Sequence, residues 1–254
     1  MSQTVTRQAL VNACHELLQP ARFKDYGPNG LQVEGTDAIR HLVSGVTASR
    51  ALIEAAIDAK ADAIFVHHGL FWRGQDGTVT GWMKQRLQLL LAHNINLLAY
   101  HLPLDAHPEW GNNAQLAKVL GFETTARFGD QDLGFIGHTG RQQFSNAQKM
   151  ADHVSAQLGR SVTCIDPTGR EIRRVAWCTG GAQGYFEDAI AAGVDAFLTG
   201  EISEPQMHYA REMGVAFLAC GHHATERYGA PALAGHVAQS LGLVHHFIDI
   251  DNPA

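Results

Sequence analysis

Residues 62–69 read Asp62-Ala63-Ile64-Phe65-Val66-His67-His68-Gly69, and the organisation of the chain follows from this segment. Its four successive apolar residues, 63–66, predict a strand buried on both faces, as in a parallel sheet covered by helices. Two adjacent histidines follow the predicted end of this strand. Ligands bind at the carboxyl ends of strands in such sheets. The segment therefore predicts an α/β fold and, at the strand end, part of a metal site.

Strand and helix patterns alternate on both sides of this segment. In the first half the predicted strands are 42–46, 63–66 and 96–100 and the helices 4–19, 49–59 and 82–93; in the second half the strands are 175–178, 196–199 and 215–220 and the helices 185–192 and 205–213. Such alternation is typical of a parallel or mostly parallel sheet covered by helices. We therefore predict an α/β fold in each half.

The two halves also match each other at a constant offset. An offset of 121 residues pairs His101 with His222 and Asp105 with Glu226. Each half thus contains a histidine followed four residues later by a carboxylate, after its third predicted strand. We infer a diverged internal duplication that gives two similar α/β lobes.

The duplication predicts two domains. The first α/β lobe, 1–125, includes the N-terminal helix, and the second occupies 126–254. A divergent insert at about 126–172 has no counterpart in the repeat. It could form an added subdomain, extra strands on the second lobe, or an interface element.

The chain thus offers six candidate metal ligands of mixed imidazole and carboxylate type. They are His67, His68, His101, Asp105, His222 and Glu226. Three such ligands and an open position suit one catalytic divalent ion, whereas six with a bridging carboxylate suit two. These donor types fit Zn, Fe, Mn, Co or Ni. One histidine at a strand end is more often a hydrogen-bonded core residue, but the paired clusters favour two divalent ions.

Two further motifs each have two interpretations. The glycine-rich segment 178–184 follows a strand and precedes a helix, so its backbone N–H groups could bind an anion, or its glycines could simply allow a tight turn. The segment 199–204 ends a strand with carboxylates. Glu201 could support a metal ligand or act as a base. Alternatively, Ser203 or Glu204 caps the next helix.

The composition excludes several classes of partner. The net charge is -6 and the 19 Lys and Arg residues are scattered, which argues against nucleic acid as the main partner. No apolar run reaches the length of a membrane span, and the N-terminus lacks a signal-peptide pattern, so we expect a cytoplasmic protein without a membrane partner. The four cysteines form no CxxC pair, which argues against disulfides and a thiolate zinc site.

Five segments resemble the Nif-three-like dinuclear metal-centre family, also called the GTP cyclohydrolase one type two family, and within it the bacterial YbgI branch. They are 66–72, 101–108, 111–116, 199–204 and 221–227. The resemblance implies a Nif-three-like fold of two α/β lobes, a two-metal site in the cleft between them, and a toroidal homohexamer. It places the ligands on the same six residues, with Asp105 as the bridge and His222 rather than His223 as the ligand.

The resemblance leaves three functional hypotheses. The first is a metal-dependent hydrolase that uses a metal-bridging water, with Glu201 or Glu226 as the catalytic carboxylate that manages protons. Its substrate could be a purine nucleotide, as in GTP cyclohydrolase-type ring opening. The second is a non-catalytic, hexameric, ring-forming binding or regulatory protein with structural metals. The third is a generic phosphoester, amide or ester hydrolase.

Overall fold

Contacts divide the chain into two compact units in the computed structural model, which describes residues 3–254. The first unit contains the chain up to Gly111 and the segment Gly229–Asp251, and the second contains Asn112–Tyr228 and Asn252–Ala254. This division differs from the predicted boundary between residues 125 and 126. The difference has two parts, because residues 112–125 already belong to the second unit and the chain returns to the first unit near its end.

The helices and strands alternate along most of the chain. In the first unit they are β1 (Val5–Thr6), α1 (Arg7–Leu18), β2 (Gly30–Val33), β3 (Ala38–Ile39), β4 (His41–Thr47), α2 (Arg50–Asp58), β5 (Ala63–His68), α3 (Gly81–Ala92), β6 (Asn96–Ala99) and α4 (Leu102–Ala106). In the second unit they are α5 (Asn112–Leu120), β7 (Glu123–Phe128), β8 (Gly134–His138), α6 (Ala147–Leu158), β9 (Thr163–Ile165), β10 (Arg174–Trp177), α7 (Phe186–Ala191), β11 (Ala196–Thr199), α8 (Glu204–Met213), β12 (Ala216–Ala219) and α9 (His222–Glu226). The chain then returns to the first unit with α10 (Gly229–Leu241) and β13 (Val244–Phe247).

Each unit is built around a sheet with adjacent parallel strands, four in the first unit and three in the second. The sheet of the first unit has the order β13-β4-β5-β6-β2, in which only β2 runs antiparallel to its neighbour among the described residues. The sheet of the second unit has the order β7-β8-β10-β11-β12-β9, with β10, β11 and β12 parallel. Both folds are therefore α/β, as predicted. The second sheet is more mixed than expected, because β7, β8 and β9 form antiparallel pairs.

The insert at 126–172 explains that mixed character. It contains β8, α6, β9 and the end of β7, which add strands to the second sheet. Of the three alternatives for this segment, the structure therefore supports extra strands on the second lobe. Its helix packs into the core of the second unit through Met150, Val154 and Leu158.

One hydrogen-bonding pattern recurs in both units. Asp62 Oδ2 accepts hydrogen bonds from the backbone N–H groups of residues 40 and 41 at 2.8 and 3.0 Å. Asp195 Oδ2 accepts the same pair of bonds from residues 173 and 174, at 3.0 and 2.8 Å. Each aspartate directly precedes the central parallel strand of its sheet. The recurrence supports the inferred duplication, which stays a prediction.

Burial explains why α10 belongs to the first unit. Leu233 and Val237 are fully buried with Leu10 of α1 and Phe65 of β5 in one hydrophobic cluster. Helix α1 itself buries residues spaced four apart, because that spacing places them on one helical face. Across residues 3–254, none of the helices is long and apolar enough to cross a membrane.

Candidate metal centre

Three histidines of the first unit lie together at the ends of two parallel strands. His67 and His68 end β5, and His101 follows β6, whose Ala99 pairs with Val66 of β5. The ring centroids of His67 are 4.5 Å from His68 and 4.9 Å from His101. One ring nitrogen of each histidine lies within 4.8 Å of those of the other two. The parallel register thus brings the three imidazoles to one edge of the sheet.

The other ring nitrogen of each histidine is held by the protein. The Nδ1 partners are the Tyr100 carbonyl oxygen for His67 at 3.1 Å, Thr47 Oγ1 for His68 at 3.1 Å, and Asp25 Oδ1 for His101 at 2.7 Å. A hydrogen bond at Nδ1 fixes the ring orientation and, where Nδ1 donates, the tautomer. The nitrogen of each ring that would bind an ion is therefore Nε2.

Asp105 adds a carboxylate to this group. It lies on α4, where it is only 6% exposed, and its Oδ1 is 3.6 Å from His67 Nε2. Helix α4 begins directly after His101 and has Pro103 in its first turn, a position where a missing N–H group costs little. A buried carboxylate needs a compensating positive charge or hydrogen bonds. A divalent ion at the three imidazoles would supply that charge.

The second unit presents the related pair on α9. His222 Nε2 lies 3.1 Å from Glu226 Oε2, and Glu226 is almost fully buried. On the other side of the ring, His222 Nδ1 bonds Glu201 Oε1 at 2.6 Å. The hydrogen bond with Glu226 raises the pKa of His222 to about 9, with a smaller contribution from Glu201 and against the effect of burial. Metal-free His222 thus carries a proton at neutral pH, which an ion must displace.

Gly180 is a feature of this pair that sequence reasoning missed. Its φ of 71° lies in the left-handed region, and a Cβ there would meet the Glu226 carboxylate and lie 3.2 Å from His222 Nε2. Glycine is needed because the side chain of any other residue would occupy the space beside His222 Nε2 and the Glu226 carboxylate. The glycine-rich segment and the strand-end position of Gly180 were visible in the sequence, but its approach to Glu226 was not.

The hydrogen bonds of the glycine-rich segment favour one of its two interpretations. The N–H of Gly180 donates to Thr225 Oγ1 at 3.0 Å, and that of Ala182 donates to Thr199 Oγ1 at 3.2 Å. These donors are directed at protein oxygens rather than presented to an anion. The partners of these two N–H groups favour the tight-turn interpretation of the segment.

The structure bears on both interpretations of the segment 199–204, through different residues. Glu201 contacts His222, as the metal-support interpretation predicts. Ser203 is the N-cap residue directly before α8, and its N–H donates to Gln206 Oε1 at 3.0 Å in a capping interaction. A catalytic role of Glu201 stays a prediction.

Asp25 is a second residue that sequence reasoning missed. Its carboxylate contacts His101 from a loop 76 residues earlier in the chain. Burial alone would raise the pKa of Asp25, but hydrogen bonds from His101 and Asn29 outweigh it, so this pKa lies below its usual value. Asp25 is therefore an ionised carboxylate beside a candidate ligand. The residues Gly27-Pro28-Asn29-Gly30 indicate a turn in the sequence, but the contact of Asp25 with His101 is not visible there.

The donor set fits a divalent transition metal. Its donors are imidazole nitrogens and carboxylate oxygens, which suit Zn, Fe, Mn, Co and Ni. The candidate groups among residues 3–254 contain no cysteine. Burial raises the pKa of Cys14 to about 12 and that of Cys164 to about 11. Cys14, Cys178 and Cys220 are small buried residues.

Comparison with known proteins identifies the family of the chain. A family model described as Duf34/NIF3 (NGG1p interacting factor 3) matches residues 5–253. The chain belongs to the Duf34/NIF3 family. This Duf34/NIF3 chain is 55% identical over 251 residues to a GTP cyclohydrolase 1 type 2 homolog from Neisseria meningitidis serogroup A, with 98% of this chain and 100% of the relative covered. A protein of the same name from Pseudomonas aeruginosa is 50% identical over 253 residues, covering 98% and 99%.

Solved structures show the same fold. The protein ybgI, described as being of unknown function, superposes with a TM-score of 0.94 at 45% identity, over 98% of this chain and 100% of its own. TTHA1606 from Thermus thermophilus superposes with a TM-score of 0.89 at 32% identity, with the same coverage. The family resemblance predicted from the sequence motifs is confirmed.

The six predicted ligands of this Duf34/NIF3 protein fall into two groups. His67, His68, His101 and Asp105 lie together in the first unit, which we call the imidazole group. His222 and Glu226 lie together in the second unit, with Glu201 beside them, and we call these three residues the α9 group. Possible metal-ligand groups are thus present, whereas the number and identity of the ions stay predictions.

Proposed function

We propose that this Duf34/NIF3 protein is a metal-dependent hydrolase whose imidazole group and α9 group together bind two divalent ions. The observation that carries the proposal is the imidazole group itself. Three imidazoles with one nitrogen each within 4.8 Å of the others, beside a buried Asp105, form an arrangement that a packed core does not require. The duplicated histidine and carboxylate supply the argument from sequence that the α9 group serves the same ions.

Each group of side chains would have a distinct task. Two divalent ions held by such ligands act as Lewis acids and lower the pKa of water. His67, His68 and His101 would hold the ions through Nε2, and Asp105 would bridge them. Glu226, buried beside His222, would act as a ligand and, with Glu201, as a candidate acid or base. Glu201 is better suited to exchanging protons with solvent, because its side chain is 46% exposed.

A purine nucleotide is the substrate that we propose to test first. Support comes from the names of the relatives, which are GTP cyclohydrolase 1 type 2 homologs. The glycine-rich segment does not add to that support, because the N–H groups of Gly180 and Ala182 donate to threonine hydroxyls. Opening the imidazole ring of GTP needs a water activated for attack at C8 and a group that donates or accepts protons. The proposed site would provide ligands for the ions that activate the water, and carboxylates that could transfer the protons.

The test is an incubation of metal-loaded protein with GTP, followed by mass spectrometry of the products. We expect a ring-opened or pterin product, and none with the variant Asp105→Asn. Metal content measured on the same samples ensures that the ions are present. If GTP is not consumed by fully loaded protein, the cyclohydrolase assignment is wrong, and a screen of phosphoesters, amides and esters tests the generic hydrolase.

A non-catalytic, ring-forming protein is the second candidate. It is favoured by the exposed apolar side chains of Val79 and Trp82, in the first turn of α3 and the loop before it. Such residues are typical of contacts between subunits, and the family resemblance implies a homohexamer. Asp105→Ala separates the candidates. An enzyme should keep its native mass and lose metal and turnover, whereas structural ions would make the assembly dissociate as metal is lost.

A further inference from the structure

The carboxylate of Asp25 is the end point of four hydrogen bonds. Oδ1 accepts from His101 Nδ1 at 2.7 Å and from the Tyr26 N–H at 2.6 Å. Oδ2 accepts from Asn29 Nδ2 at 2.8 Å and from the Leu102 N–H at 2.9 Å. All four partners donate, so both oxygens must accept. An amide has only one acceptor oxygen and cannot replace this carboxylate without facing two donors with its NH₂ group.

These bonds fix both the ring and the backbone of His101. The bond to Oδ1 holds the proton on Nδ1, and the bond to the Leu102 N–H anchors the first turn of α4. Asn29 completes the contact, because its Oδ1 accepts from the His101 N–H at 2.7 Å. Asp25 and Asn29 thus hold His101 at the backbone, at the ring and at the following residue.

The loop that carries Asp25 is itself held in place. Arg73 donates from its guanidinium to the Asp25 carbonyl oxygen at 2.8 Å and from its backbone N–H to the Tyr26 carbonyl at 2.6 Å. A Cβ on Gly27 would collide with the carbonyl oxygen of Phe71, so the two loops touch at a position where only glycine fits. The Asp25 side chain is only 3% exposed as a result. The loop after β5 therefore supports the residue that orients the histidine after β6.

His222 of the α9 group is supported in a different way. Its Nδ1 partner Glu201 is 46% exposed, and the other Glu201 oxygen accepts a long hydrogen bond of 3.4 Å from Gln183 Nε2. A carboxylate with this exposure loses less when its bond to the histidine opens, because water replaces the contact. His101 and His222 thus each have a carboxylate at Nδ1, but the carboxylate of Asp25 is held more rigidly than that of Glu201.

We propose that Asp25 is a positioning residue for His101, so that the ion bound by His101 is held tightly, whereas the ion bound by His222 exchanges more readily. The inference rests on the metal centre of the proposed function and adds an unequal occupancy of its two positions. Carboxylates that orient a ligating histidine contribute about 10–100-fold to metal affinity. A rigid, buried support delivers more of that effect than a mobile one, because less freedom is lost when the ion binds.

The experiment measures ion release from the full-length protein loaded with Zn²⁺, by mixing it with an excess of a chromogenic chelator. Wild-type protein should release its ions in a slow and a fast phase. Asp25→Asn should accelerate the slow phase by about 10–100-fold. Glu201→Gln should alter only the fast phase. Identical release by wild type and Asp25→Asn, or a single phase in wild-type protein with two ions bound, would overturn the inference.

Asp62→Asn is the matched control for a structural effect. Asp62 also accepts two backbone hydrogen bonds with one oxygen, but its partners are Arg40 and His41 rather than a candidate ligand. This variant should lower the melting temperature without changing either release phase. If Asp62→Asn accelerates the slow phase as much as Asp25→Asn does, Asp25 acts through stability alone and the inference fails.

Two further measurements keep the test decisive. In Co²⁺-loaded protein the Nδ1 proton of His101 should give a shifted, slowly exchanging NMR signal that Asp25→Asn moves or removes. If Asp25→Asn does not fold, Asn29→Ala, which leaves the Asp25 contact to the ring, should accelerate the slow phase by a smaller factor, and no acceleration refutes the inference. Wild-type protein that binds no divalent ion would refute the proposed function as well, whereas two ions with unaltered release refute only this inference.

Discussion

Replacing Gly180 by alanine tests the metal centre without removing a ligand. In Gly180→Ala, the new Cβ atom would collide with the Glu226 carboxylate and lie 3.2 Å from His222 Nε2. Glu226 is 3% exposed and follows His222 by one helical turn, so it has little room to yield. We therefore expect its oxygens to be displaced from the position in which they would bind an ion.

The expected magnitude has two parts. A non-glycine residue in the left-handed region costs roughly 1–2 kcal/mol, whatever lies around it. Gly159→Ala is the matched control, because its φ of 69° is similar to the 71° of Gly180 and no atom lies within 4 Å of its Cβ. Each variant should lose roughly 2–8 °C of melting temperature from this backbone term. Only Gly180→Ala should also lose metal affinity. The expected loss is roughly 10–100-fold, the size of the effect when a group that orients a metal ligand is disturbed.

The assay is a Zn²⁺ competition titration of both variants, with thermal unfolding of the same samples. The reasoning is refuted if Gly180→Ala binds Zn²⁺ as wild type does, since the space beside Glu226 would then be unimportant. It is also refuted if Gly159→Ala loses as much affinity, because the loss would then reflect general destabilisation. A variant that melts within this range and still loses affinity supports the geometric argument.

Three other predictions concern stability and assembly. Phe65→Ala should lower the free energy of unfolding by about 3–5 kcal/mol, because Phe65 is fully buried in the hydrophobic cluster that also contains Leu10. A loss under about 1 kcal/mol in urea titrations would contradict this. Trp82→Glu should reduce the native mass at unchanged metal content, because Trp82 is 52% exposed at the proposed subunit contact; an unchanged mass would count against that contact. Burial and the nearby His246 and His41 lower the pKa of His245 in the folded protein below its ordinary value of 6.5. As the pH falls through 6.5, the unfolded chain therefore binds a proton at this histidine before the folded protein does. Acidification in this range should thus destabilise the metal-loaded protein. His245→Gln should flatten the fall in melting temperature between about pH 7 and 5, and parallel profiles would show that His245 is not responsible.

Local patterns predicted the helices and strands well, because apolar runs bounded by turns are a local property. The strand predicted at 196–199 matches β11, and the other predicted boundaries lie within a few residues. The end of β5 differs, since the strand continues through His68, which pairs with Thr47 on β4. The predicted strand ended at residue 66 because the next two side chains are polar. Backbone pairing between strands does not depend on side-chain polarity, so the strand continues.

The return of α10 and β13 to the first unit could not be predicted in this way. A helical pattern shows which face is apolar, but not which sheet the face covers. Val237 lies in the same hydrophobic cluster as Leu10, so this cluster joins opposite ends of the chain. The predicted boundary followed the sequence repeat, whereas the contacts follow the core.

The candidate ligands and their supports differ in the same respect. The six ligands were accessible to sequence reasoning because they occupy strand ends and related positions of a repeat. Asp25 and Gly180 were not, since they act across 76 and 46 residues, on His101 and Glu226. The inferred duplication pairs His101 with His222 but not their supports, because Asp25 lies on an N-terminal loop and Glu201 follows β11. If both groups bind ions, the two copies therefore differ mainly in how rigidly each histidine is held, and ion exchange is the property in which that difference becomes measurable.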